Sequence, residues 1–307
     1  MLLANISRRE FLQQITAFSA STFLGGELLA NPLKKWDLKI AYSAITWGGK
    51  DDMAIKDIAS LGFKGIQLRA NTFGPYRNKI SELRDMLQAN NLTLAMFSSG
   101  NVEVDIAKEA STIDMHVAHA SFVKALGGSA IQMTNSLRKR GEIPTTEQLK
   151  RLAEVMNKIG QQTADMGVQA VYHNHMSQWG ETPEEVDVLV QSMNPKYVKL
   201  LLDIAHYKQG GGKPEEAVIK YKDIIHSLHL KDTMSPLPDN IDPKSYKFVE
   251  LGRGNVDVPA VFKALKKIDF QGWGIIELDG VPDKEKTPLS CATTNRDYIV
   301  GSLKHSL

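Results

Sequence analysis

From Leu38 onward the chain alternates short β-branched or apolar runs with amphipathic helical stretches, and the short runs number eight: Leu38–Ser43, Gly65–Arg69, Leu92–Phe97, Ala130–Thr134, Gln169–His175, Val198–Asp203, Ile225–Lys231 and Trp273–Leu278. Between them a helical period marks Asp51–Leu61, Lys79–Ala89, Ile106–Leu126, Thr146–Met166, Pro183–Ser192, Pro214–Tyr221 and Val258–Ile268. Parallel neighbours need a crossover about as long as a helix, so this regularity predicts a parallel sheet covered by its own crossovers. Gly62, Gly127 and Gly167 fall just past helical stretches, where a left-handed cap favours glycine.

Alternation alone fits both a closed barrel and an open doubly wound sheet. The residues at the ends of the last four runs separate the two. Tyr172 to His175 read YHNH, Leu202 to His206 LDIAH, His229 to Asp232 HLKD, and Ile275 to Leu278 IIEL. Each supplies side chains that bind divalent cations, with His173, Asp203, His229 and Glu277 as the candidate ligands. Two imidazoles and two carboxylates suit one Mn²⁺, Co²⁺, Mg²⁺, Fe²⁺ or Zn²⁺ ion. Four strand ends converge on one ion at the mouth of a barrel, whereas in an open sheet the edge strands end far apart. Trp47-Gly48-Gly49 also lacks the spacing of a dinucleotide-binding loop. The expected fold is therefore a single (β/α)8 barrel over residues 36–307, a length that one such core accommodates.

With 42% hydrophobic and 23% charged residues and a net charge of +2, the chain has no electrostatic footprint for nucleic acid, and a small neutral or weakly charged substrate fits better. The one cysteine, Cys291, excludes an intrachain disulfide and a cysteine-based zinc site. Residues 1–35 are set apart: Ser7-Arg8-Arg9-Glu10-Phe11-Leu12 is similar to a twin-arginine export signal. The stretch from Ile15 to Leu29 that follows is too short and too interrupted for a stable membrane span. A periplasmic location is expected.

Taken together, GFKGIQL (Gly62–Leu68), YHNH, LDIAH, HSLHLKD (His226–Asp232), LGRGNVD (Leu251–Asp257) and IIEL give the region from about Leu38 to Ser302 a resemblance. It resembles the xylose-isomerase-like barrel superfamily, the sugar isomerase/epimerase group that includes inosose dehydratases, ketose 3-epimerases and 3-dehydroshikimate dehydratases. The resemblance implies a single divalent ion on His173, Asp203, His229 and Glu277, a carbohydrate substrate, and pairing of protomers into a homodimer. Two positions depart from the family pattern. His173 stands where glutamate is common at the end of the fifth strand, and Gln67 where the second strand usually ends in glutamate. Epimerases of this type use a pair of metal-bound glutamates on the two faces of an enediolate, so these departures favour a one-base elimination or hydration.

In that chemistry a divalent ion polarises a sugar ketone and its neighbouring hydroxyl, and a nearby base removes the carbon-bound proton. The candidates for that base are His175, His206, Lys231 and Glu277, with Lys231 also able to hold an oxyanion or a leaving oxygen. Trp47 can stack on a sugar face or belong to the core. Gln67, Arg69, Asn135 and Arg253 lie at strand ends or mouth loops, where they can bind hydroxyls or a carboxylate. His116 and His119 read as a packed or solvated helix face, His226 as a structural polar group, and the long loop from Ser235 to Lys247 as a shaper of specificity.

The expected activity is that of a metal-dependent lyase, dehydratase or hydratase acting next to the keto group of a 3-keto sugar or cyclitol. A sugar isomerase or epimerase is the alternative. An apurinic endonuclease would need further histidines at early strand ends that read Gln67-Leu68-Arg69 and Met96-Phe97-Ser98. A non-enzymatic sugar-binding protein remains a fourth reading.

Overall fold

Eight parallel strands close on themselves in the computed structural model, which describes residues 36–307 apart from 140 and 243. The proposed signal segment, residues 1–35, lies outside the described residues. In chain order the elements are β1 (Lys39–Ser43), α1 (Asp51–Ser60), β2 (Gly65–Arg69), α2 (Ala70–Tyr76), α3 (Ile80–Ala89), β3 (Thr93–Val102), α4 (Ile106–Ala125), β4 (Ala130–Asn135), α5 (Thr146–Ala164) and β5 (Gln169–His173). There follow α6 (Pro183–Ser192), β6 (Val198–Asp203), α7 (Ile204–Gln209), α8 (Pro214–Lys220), β7 (Ile225–Leu230), β8 (Asp232–Met234), β9 (Lys247–Val249), α9 (Val258–Lys267), β10 (Trp273–Ile276) and α10 (Pro288–Asp297). β1 closes the barrel against β10, while β8 and β9 form a separate antiparallel hairpin after β7.

The barrel interior is filled by Ala41, Ala95, Met96, Ala130, Val171, Leu201 and Ile275. Small residues here make room for large ones: a Cβ on Gly65 would lie 2.5 Å from the Trp273 ring, so only glycine lets that tryptophan pack. Because side chains alternate along a strand, each inward apolar residue sets the direction of the residue two further on. Val171 is followed by His173, Leu201 by Asp203, Ile275 by Glu277, Ala130 by Gln132 and Gly65 by Gln67. The core layer thus aims a polar layer at the C-terminal mouth.

Several boundaries differ from the sequence expectation, each for a physical reason. β3 runs on to Val102 because a register shift between Ser98 and Gly100, with Gly100 at φ 113°, lets it keep pairing with β4. β5 stops at His173, not His175, since the Asn174 side chain turns to bond the backbone N–H and C=O of Asp203. The short helices α2 and α7, the helix α10 and the β8–β9 hairpin have no counterpart among the predicted elements.

His116 and His119 lie on the buried face of α4 against β3. Ser99 Oγ is 2.6 Å from His116 Nδ1 and 2.9 Å from His119 Nδ1. Burial pushes the His116 pKa down to about 4, and His173 likewise. An unfolded histidine titrates near about 6.5, so below that pH the unfolded chain binds protons that the native state does not. Stability is fully present above the unfolded pKa and is lost as pH falls toward 4. Urea unfolding between pH 7.5 and 4.5 is expected to show a falling midpoint, with a linkage slope approaching two protons from these residues. A flat profile would contradict it.

Candidate metal and catalytic site at the barrel mouth

The ends of β5, β6, β7 and β10 bring His173, Asp203, His229 and Glu277 together, all buried. The pairing register places Asp203 directly beside His229, and His229 beside Ile275, after a shift between Leu200 and Leu201. Ligand atoms of Asp203, His229 and Glu277 lie within 4.8 Å of one another, as do those of His173, Asp203 and His206. Asp203 Oδ1 is used elsewhere: it accepts from the backbone N–H of Ala205 and His206, capping α7. Its other oxygen, Oδ2, faces the cluster, 3.4 Å from both His173 Nε2 and His229 Nδ1.

The most informative atom is His229 Nδ1. His229 Nε2 is 2.9 Å from the side-chain amide oxygen Oε1 of Gln67, so it must be the protonated nitrogen. In the neutral ring, Nδ1 then carries a lone pair, and it is buried without a hydrogen-bond partner. It nevertheless sits 3.3 Å from Glu277 Oε1 and 3.4 Å from Asp203 Oδ2. His229 Nδ1, Glu277 Oε1 and Asp203 Oδ2 are all acceptors and none carries a proton for another, a convergence that fits a cation between them. The set is all nitrogen and oxygen, as a borderline or hard divalent ion requires. The neighbouring imidazoles, His229 for Glu277 and His206 for Asp203, together with the Lys231 ammonium, outweigh burial and hold both carboxyls below their usual range, Glu277 at about 2.

A second cluster lies beside the first. Lys231 is fully buried, donating to Asp279 Oδ1 at 2.7 Å, Glu277 Oε1 at 3.2 Å and His206 Nε2 at 3.3 Å. Burial favours its neutral form, but the carboxylates of Asp279, Glu277 and Asp203 outweigh that and raise its pKa. Phe248, carried on β9, covers it, with Nζ 4.2 Å from the ring centroid. The His206 ring lies edge-on to Phe248 and 3.8 Å from the His175 ring at 34°.

These geometries sort the candidate bases. Lys231 is held as an ammonium and is not a base. Glu277 is engaged by Lys231 and Gln67. His206 accepts from Lys231 through Nε2, which leaves Nδ1–H buried without a partner, a donor rather than a base. His175 alone offers a lone pair to the mouth: it is half-buried, its Nδ1–H donates to the Met176 carbonyl at 2.6 Å, and its Nε2 makes no hydrogen bond among the described residues.

The expected substrate-binding residues fare unevenly. Trp47 is a core tryptophan: it is 3% exposed, lies edge-on to Tyr42 and donates Nε1–H to Asp57 at 2.7 Å, so it cannot stack on a sugar. Asn135 spends its whole amide on the backbone of Trp179 and braces the loop after β5. Gln67 is equally committed, to Gln132, Glu277 and His229. Arg69 and Arg253 do reach the mouth, half-buried and exposed respectively, and their guanidinium groups make no hydrogen bond or ion pair among the described residues. The loop carrying Arg253 is pinned by Asp232, which accepts from the backbone N–H of Gly252, Gly254 and Val256. Gly254 allows that approach, because a Cβ there would stand 2.2 Å from Asp232 Oδ1.

Sequence reasoning passed over Gln132, Phe248 and Asp279. Gln132 and Asp279 were open to the same period-two argument that found the ligands, two residues past Ala130 and Glu277. Phe248 had no such signal.

Residues 55–293 match the family described as xylose isomerase-like TIM barrel. The chain is 28% identical over 294 residues to an inosose dehydratase of Clostridium botulinum, across 85% of this chain and 96% of that one. It superposes on the IolI protein with a bound zinc atom at a TM-score of 0.73 and 18% identity, across 88% of this chain and 100% of that one. A probable 3-DHS dehydratase, AsbF of Bacillus anthracis, gives a TM-score of 0.71 at 14% identity, across 86% and 99%. Likeness at these identities speaks for the fold.

Proposed function

The chain belongs to the xylose isomerase-like TIM barrel family, and from that membership and the geometry of its mouth we propose that it is a divalent-metal-dependent carbohydrate enzyme. Its reaction is elimination or hydration next to the keto group of a 3-keto sugar or cyclitol. The observation that carries this reading is the unpartnered His229 Nδ1 facing Asp203 and Glu277, with the buried Lys231 ammonium bonded to the same Glu277 oxygen. Relatives that are inosose dehydratases support the substrate class.

Asp203, His229 and Glu277, with His173 beside them, would hold Mn²⁺, Co²⁺, Mg²⁺, Fe²⁺ or Zn²⁺. Such an ion supplies Lewis acidity toward a keto oxygen and its neighbouring hydroxyl, which acidifies the adjacent C–H bond. The remaining steps fall to the protein. His175 Nε2 takes the carbon-bound proton, and the electron pair moves toward the keto oxygen and then expels the β-oxygen. The proton that His175 has taken then passes to the leaving oxygen, so one acid–base group completes the elimination, while Lys231, donating to His206 Nε2, fixes the ring on which His175 stacks. Phe248 keeps water from the ammonium. Arg69 and Arg253 bind the periphery of the substrate.

Metal-loaded protein incubated in D₂O with a panel of 3-keto glycosides, inososes and ketoses tests the reaction by NMR. Release of water or aglycone together with loss of the proton signal at the carbon next to the ketone is expected. Solvent exchange with inversion and no elimination would replace this reading with the isomerase or epimerase alternative.

We also propose export by the twin-arginine route, supported by Arg8-Arg9 and by a single cysteine in Cys291, since a chain folded before export needs no oxidative step afterwards. Residues 1–35 fused to a reporter active only after folded export are expected to deliver it to the periplasm, with Lys-Lys in place of the pair blocking delivery. Equal delivery by both fusions rules the route out.

A further inference from the structure

Resting on the metal reading above, we propose that Gln67 and Gln132 form an amide relay that fixes His173 and His229 in opposite tautomers, so that the ion is held by Asp203, His229 and Glu277 while His173 serves as a hydrogen-bond donor to Asp203.

The relay can be followed atom by atom. Gln67 Oε1 accepts from His229 Nε2–H at 2.9 Å, and Gln67 Nε2 donates to Glu277 Oε2 at 3.2 Å and to Gln132 Oε1 at 3.1 Å. Gln132 therefore turns its NH₂ toward His173, donating to Nδ1 at 2.8 Å. A neutral imidazole that accepts at Nδ1 carries its proton on Nε2. That Nε2–H points at Asp203 Oδ2, 3.4 Å away. The two tautomers carry the same charge, so the choice between them is made by hydrogen bonding and not by titration.

For His173 to ligate through Nε2, its proton must move to Nδ1 and Gln132 must turn its carbonyl to receive it. Turning Gln132 alone would set its NH₂ against the NH₂ of Gln67. Turning both would place Gln67 Oε1 against the Glu277 carboxylate and give His229 a donor where it now meets an acceptor, moving its remaining proton to Nδ1. One arrangement thus presents only one imidazole lone pair to the ion. The Glu277 contact selects His229. Gln67 and Gln132 are accordingly positioning residues, acting on the ion through the rings that they orient.

Chelator-competition titration with Zn²⁺ and ring ¹⁵N NMR of the full protein test this together. His229→Ala is expected to weaken Zn²⁺ binding by more than about 100-fold, and His173→Ala by less than about threefold. Gln132→Glu keeps an acceptor for Gln67 and gives His173 an acceptor at Nδ1, which releases Nε2 as a fourth ligand. It should tighten Zn²⁺ by roughly 10–100-fold, and adding His173→Ala to it should then remove at least about tenfold of that gain. In the unsubstituted protein loaded with Zn²⁺, His173 should show the Nε2–H signature and, in Gln132→Glu, the Nδ1–H one. Equal losses for His173→Ala and His229→Ala, or an Nδ1–H signature for His173 in the unsubstituted protein, would overturn the relay and leave the metal reading standing. No loss in His229→Ala would overturn both.

Discussion

Asp203→Asn is expected to lower divalent-metal affinity by more than about 100-fold while leaving the fold intact. Second-sphere partners alone are worth roughly 10–100-fold, and this change removes a charge from the ion's own shell. Asparagine is the informative choice. Asp203 Oδ1 caps α7, and an alanine there would cost about 1 kcal/mol through the lost cap. Asparagine keeps a capping oxygen and deletes only the charge. Metal content by mass spectrometry and the thermal midpoint separate the two roles: content should fall to background, and the midpoint should change little. Stoichiometric metal in the variant would remove Asp203 from the site. Glu277→Gln should lose metal too, and it also deprives Lys231 of a carboxylate 3.2 Å away.

His175→Ala should act the other way, leaving metal content intact and cutting turnover by roughly two to four orders of magnitude, the usual worth of a general base. The separation follows from geometry: His175 is bonded to the Met176 carbonyl and stacked on His206, and lies outside both groups of convergent ligand atoms. His175→Gln keeps polarity without basicity and should be as slow as alanine. A glutamine variant retaining a tenth or more of the parent rate would assign proton removal to another group.

The barrel was legible because its eight runs alternate with helices, and the convergence of Asp203 and Glu277 because each stands two residues past an inward residue of the core layer, Leu201 and Ile275, while His229 sits beside Asp203 in the strand register. What sequence could not show were contacts made across long separations. Trp47 read equally as a sugar platform or a core residue, and only the contact of its indole N–H with Asp57 decides for the core. Gln67 and Asn135 looked free because their partners, Glu277 and Trp179, are 210 and 44 residues away. Gln132 passed as one polar residue in a buried strand. Strand ends failed where a side chain replaced a backbone partner, as Asn174 does beside Asp203. α2 went unseen because Pro75 and Gly74 sit inside it and break the expected pattern.

The hairpin of β8 and β9 makes this mouth modular. Its near end is tied by Asp232 to the backbone of Gly252, Gly254 and Val256, and its far end by Lys247 to Asp283 at 2.6 Å. Between these anchors the tip is exposed at Ile241 and Tyr246, while Phe248 alone reaches the buried ammonium. The tip can therefore diverge in length and composition under selection for new substrates without disturbing a ligand, so long as one aromatic is retained at its base. Chemistry and substrate range are inherited on separate stretches of the chain, and a tip exchanged between related barrels would carry selectivity with it.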